Sequence, residues 1–269
     1  MKVQIKEKKM VYAATSNQKP AIYTAWVFLL LASSIPLVVT QELFHQPVAE
    51  NMKYTMSAAV TFIGLVLTFA WSAIRTLRPF FIVFITFTCA QWLVYTRVDK
   101  LPFYHEWLNH PSFNVSMLAE QTMHLIVTLV MIGVLFVLKK KREIFFLVKG
   151  NTDALISPVN WLGIKEGERW NKTGWVLAFF ISLGTLTFLV LAGRPPLDIV
   201  IKALPFLPAI LLAAATNAFH EEVSYKASFL SVLEQPVGRH QALWLMAAYF
   251  GIGHFYGVPY GVIGVIMAG

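Results

Sequence analysis

Apolar residues fall in long blocks along this chain, separated by short basic or Pro/Gly stretches. The blocks cover 22–40, 54–74, 80–96, 117–138 and 173–192. A sixth follows the "GRPPLD" stretch and is densest over 203–219, and a seventh covers 242–256. Each of the first five is near the ~20 residues with which a helix crosses a bilayer. The last block, 258–269, holds twelve residues and stops without a charge or a loop. The pattern predicts an all-α, polytopic membrane helix bundle of about eight transmembrane helices, the last cut short. The first four helices and a basic loop make up 1–172, and 173–269 forms a second region.

Composition agrees with this reading. Of 269 residues, 57% are hydrophobic and 13% charged, against roughly 25% charged in a soluble domain. The single cysteine, Cys89, excludes a disulfide framework or a cysteine-rich metal site within the chain. The net charge of +8 does not point to nucleic acid. Its lysines and arginines sit in loops beside apolar blocks, where they meet anionic lipid. Basic residues crowd the N-terminus (Lys2, Lys6, Lys8, Lys9, Lys19), the second loop (Arg75, Arg78) and the fourth (Lys139, Lys140, Lys141, Arg142). By the positive-inside rule the N-terminus is expected to be cytoplasmic. The first block is too long for a cleaved signal peptide and reads as an uncleaved span. The style of the chain suggests a bacterial cell membrane. The third loop, "LPFYHEWLNHPSF", reads as an interfacial segment rather than a site for His105 and His110.

One stretch breaks the apolar pattern: "NAFHEEVSYKASFL", 217–230. Ionisable groups within a membrane are costly and are retained for function or paired. At about 100° per residue, Asn217, Glu221, Ser224 and Ser228 share one helix face, and a polar stripe on an apolar helix faces protein or water. Glu222 lies on another side with Lys226 one turn on, an acid-before-base pair that supports a helix. Glu221 is therefore the candidate working carboxylate and Glu222–Lys226 a structural pair. The alternative is that the glutamates mark where the chain leaves the membrane. His220 lies off the stripe and is expected to be incidental. The next helix places Phe250 and His254 one turn apart, with Ala247 and Gly251 on the face of close helix packing.

"HEEVSYKASFL" followed by "FGIGHFYGVPYGVIGVIMAG" resembles the CAAX protease and bacteriocin-processing (CPBP) family of intramembrane proteases, which includes the type II CAAX prenyl endopeptidases. Glu221 and Glu222 match that family's E-E-x-x-x-R motif, and Phe250 and His254 match F-x-x-x-H. The resemblance covers roughly 173–269. Lys226 stands where the arginine is expected, and the family's third motif, H-x-x-x-N or H-x-x-x-D, is not reached before Gly269. The resemblance implies hydrolysis of a peptide bond in a membrane-associated peptide or protein. Glu221 would activate water, and His254 would orient that water or stabilise the oxyanion. Asn217, Glu222, Lys226 and Phe250 would support them. The cofactor is left open. Zinc is the candidate the resemblance offers, yet Glu221 and His254 are too few for a site that wants four ligands, or three plus water. Two other classes remain: a non-catalytic CPBP-fold scaffold or bacteriocin self-immunity membrane protein, and a transporter with a proton path along the polar stripe.

Overall fold

The computed structural model describes residues 18–49 and 51–269, so Lys2, Lys6, Lys8 and Lys9 of the basic N-terminus lie outside the described residues. Among those described, the backbone is helical with no strand, apart from two isolated bridges, Leu155 with Arg169 and Val159 with Ile164. The helices are α1 (Lys19–Ala32), α2 (Ile35–Val38), α3 (Met52–Ala70), α4 (Arg78–Leu93), α5 (Pro102–Leu108) and α6 (Phe113–Val137). They continue as α7 (Trp170–Gly193), α8 (Leu197–Ala203), α9 (Leu207–His220), α10 (Ser228–Val237), α11 (Arg239–Gly253) and α12 (Val262–Ala268).

Among the described residues, five helical runs are long and apolar enough to cross a membrane: Met52–Ala70, Ser72–Val98, Phe113–Val137, Trp170–Gly193 and Leu197–Val237. A sixth results if the bent pair Lys19–Ala32 and Ile35–Leu43 is one span. The chain is thus a membrane protein with an all-α fold. Two of the eight expected spans are short of that length, since α11 has 15 residues and α12 has 7.

The chain divides into two compact units, Met1–Phe145 with Leu211–Gly269, and Phe146–Ile210. In the second unit, α7 presents apolar side chains outward along most of its length. The turn before it is tied by Asn171 Nδ2 donating to Asp153 Oδ1 (2.6 Å) and Thr173 Oγ1 donating to Glu168 Oε2 (3.0 Å).

The first unit holds the core and the candidate site. Phe80, Phe81, Phe84 and Phe87 of α4 are wholly buried, and Phe229 of α10 packs among them. Its ring centroid lies 5.2 Å from Phe84, 5.7 Å from Phe87 and 6.2 Å from Phe80. Edge-to-face rings at such spacing gain beyond simple burial. Gly64 admits α3 close to α4, because a Cβ there would lie 2.2 Å from the Phe81 ring. Nearby the hydroxyls of Ser57 and Thr88 join the two helices at 3.2 Å, as small polar residues do between membrane helices.

The expected interfacial third loop forms α5, held down by Tyr104, which donates to Ala119 O at 2.6 Å and also bonds the Thr122 hydroxyl. Just beyond α6, Lys140 Nζ donates to Ser231 O (3.1 Å), and burial pushes its ammonium below the usual lysine range.

Two features of the backbone position the site. The first apolar block is bent by 44° after Ala32. Pro36, in the first turn of α2, has no N–H to offer the Ala32 carbonyl. Ser33 covers part of the gap: its Oγ donates to Leu30 O (2.7 Å) and accepts from the Ile35 N–H (3.2 Å). The second is a π-helical segment, Glu221–Ala227, joining α9 to α10. The glutamates therefore do not end a helix. The run passes through them to Val237, so they lie inside a continuous helical run rather than at its end.

Candidate functional site

The π segment decides which side chains of the 217–228 stretch meet. Bonding from i to i+5 widens the turn, so each residue advances less around the axis than in an α-helix. The face computed for α geometry divides accordingly. Asn217, His220, Glu221 and Tyr225 reach a common cavity, whereas Ser224 and Ser228 are wholly buried in packing. Ser228 Oγ donates to Val223 O, five residues back, at 2.7 Å. The four-residue stripe is corrected to the pair Asn217 and Glu221.

The cavity has a volume of about 620 Å³, within the range of small-molecule sites. Its walls come from the bend at Ala32–Ser34, from α3 (Lys53, Tyr54, Ser57) and from α4 and the turn beyond it (Thr88, Gln91, Tyr95). His124 of α6, the π segment and α11 complete them, and His254 closes the end of α11.

Glu221 and His254, thirty-three residues apart in sequence, line this same cavity. Asn217 Nδ2 donates to Glu221 Oε1 at 2.9 Å, fixing one carboxylate oxygen and leaving the other available. His254 Nδ1 lies 2.8 Å from Phe250 O. A carbonyl can only accept, so Nδ1 carries the hydrogen, and in the neutral imidazole Nε2 is the ring nitrogen with the lone pair. The Phe250 ring sits 4.5 Å from the imidazole and is itself on the cavity wall. The small-residue face of α11 packs as expected. A Cβ on Gly251 would lie 2.5 Å from Val265 O of α12.

Glu222 and Lys226 form the expected ion pair at 2.5 Å, with side chains 63% and 37% exposed. An exposed pair adds about 0–1 kcal/mol. Lys226 Nζ also stands 4.8 Å from the Phe250 ring centroid, so the lysine ties the π segment to α11 through an aromatic face rather than a bidentate fork.

His220 is not incidental. It is 3% exposed, its ring stacks on His124 at 4.8 Å and 10°, and its Nδ1 lies 2.8 Å from Thr128 Oγ1 and 3.2 Å from Ser224 Oγ. The wide turn brings it to the cavity wall, which α-helical spacing did not predict. Gln91, Tyr95, His124, Tyr225 and Tyr249 were also missed, although polar groups inside apolar blocks, Gln91 and His124 above all, carried a legible signal. His105 and His110 do not line the cavity.

Among the described residues, no three His, Cys, Asp or Glu side chains gather as a group able to hold a metal. Glu221 and His254 thus do not fit a zinc site, and no step below passes through one.

The turn carrying His254 depends on Gly264. A Cβ there would fall 2.1 Å from Pro259 O and 2.8 Å from His254 O, both backbone atoms. Gly264→Ala is expected to cost roughly 1–3 kcal/mol and to displace His254. Thermal unfolding in detergent measures the first effect; an unchanged midpoint would show that the turn yields freely.

No family model matches the chain, and neither a curated protein nor a solved structure does.

Proposed function

We propose that this chain is an intramembrane endopeptidase of CPBP type, hydrolysing a peptide bond in a membrane-associated peptide or protein. The observation that carries the reading is that Glu221 and His254 line one polar cavity within an all-helical, apolar chain. Glu221 takes a proton from a bound water, and His254 Nε2 accepts that water's other hydrogen and orients it. The amide nitrogen leaves with the proton that Glu221 collected. A base and a held water are then supplied without a metal.

On this reading α11 and α12 complete the bundle to eight spans, beside the six counted by length. The N-terminus is cytoplasmic and the membrane bacterial. The test is cleavage of a membrane-anchored peptide by the reconstituted chain, comparing wild type with Glu221→Gln. Undiminished cleavage by the variant would remove Glu221 from the chemistry, and no cleavage by wild type would leave the chain a non-catalytic scaffold.

Glu222→Gln and Lys226→Met are expected to lower folded yield, by no more than about 1 kcal/mol for the exposed pair, and to leave turnover per folded molecule unchanged. Loss of turnover in well-folded Glu222→Gln protein would overturn this division of labour.

A further inference from the structure

In this tautomer His254 offers the cavity an acceptor, not a donor, because its hydrogen is directed to Phe250 O. Glu221, before it takes a proton, offers an acceptor too. A tetrahedral intermediate, however, develops negative charge on the former carbonyl oxygen and needs a hydrogen-bond donor. A donor elsewhere on the cavity wall would meet that need.

We propose that Tyr225 is this donor, a further catalytic residue that rests on the hydrolase reading above, with Gln91 as its positioning residue. Tyr225 lines the cavity four residues beyond Glu221, on the same π segment. Gln91 Nε2 donates to its phenolic oxygen at 2.7 Å. The amide hydrogen occupies a lone pair of the phenol, so the phenol's own hydrogen is free to turn into the cavity. The ring is held from several sides: Phe87 at 4.7 Å, and His220 and Phe250 each at 5.7 Å, all near-perpendicular. A donor so fixed reorganises little as charge develops.

The step balances. Water oxygen bonds to the carbonyl carbon while its proton passes to Glu221, and the C=O π pair moves onto oxygen, where the Tyr225 hydroxyl donates to it. The pair then re-forms C=O as the C–N bond breaks, and nitrogen takes the proton from Glu221. Amide and water become carboxylic acid and amine.

The experiment uses the full chain in lipid vesicles with an internally quenched peptide joined to an apolar anchor of ~20 residues. Tyr225→Phe keeps the ring and its contacts. It is expected to lower kcat by about 10²–10³ with KM unchanged. Gln91→Glu supplies an acceptor that draws the phenol's hydrogen away from the cavity, and it should lower kcat by a similar factor. Gln91→Leu leaves that hydrogen free and should cost less than about tenfold. A merely structural role for the pair would not separate the two Gln91 variants. If Tyr225→Phe keeps kcat within about fivefold while Glu221→Gln abolishes cleavage, the tyrosine assignment is overturned and the hydrolase reading stands. Equal effects of the two Gln91 variants overturn the positioning role. Cleavage that is absent in wild type removes the hydrolase reading, cleavage indifferent to Glu221→Gln removes the Glu221-centred mechanism, and either takes this inference with it.

Discussion

Glu221→Gln is expected to reduce cleavage of a membrane-anchored peptide by about 10²–10⁴-fold, the range general-base catalysis contributes. The substitution is isosteric. Its side-chain oxygen can still accept from Asn217 Nδ2, which holds Glu221 Oε1 at 2.9 Å. What is lost is the capacity to take a proton. Folded yield should therefore match wild type, and the deficit should lie in kcat. The adjacent Glu222→Gln provides the control, since that carboxylate is mostly exposed and paired with Lys226. Initial rates of the two variants in vesicles make the comparison. Equal rates would mean that position on the cavity wall has no bearing on chemistry.

Phe229→Ala is expected to destabilise the first unit by roughly 3–5 kcal/mol, the cost of truncating a buried phenylalanine. The ring is wholly buried and touches α4 at three phenylalanines and α11 at Tyr249, 5.7 Å away. In lipid the loss is one of packing rather than of expulsion from water. Phe229→Leu, closer in volume, should cost much less. Unfolding midpoints in detergent separate the two. If both variants unfold together with wild type, the aromatic cluster is not what joins α10 to α4.

The apolar blocks made the helices legible because a bilayer imposes both length and composition on a span. Glu221, Glu222, Lys226, Phe250 and His254 were legible because each is conspicuous in an apolar setting or falls at helical spacing. What was not legible came from the backbone. Nothing in "EEVSYKA" announces i to i+5 bonding, so Ser224 and Ser228 were assigned to a face they do not share, and His220 was discounted. The walls contributed by α3, α4 and α6 escaped notice for another reason. Gln91 and His124 are single polar residues in otherwise apolar blocks, and their significance depends on which helices stand opposite one another.

The bend at Ser33–Ser34 has a bearing on supply. Interrupted helices leave backbone groups that hydrocarbon cannot satisfy, and they persist at membrane depth only beside protein or water. Here the interruption opens directly onto the cavity that holds Glu221 and His254. Backbone groups at the bend that Ser33 does not satisfy would hold solvent next to the carboxylate. On the proposed hydrolase reading, water is the scarcest reagent in an apolar bundle, and the bend in the first apolar block would supply it beside Glu221.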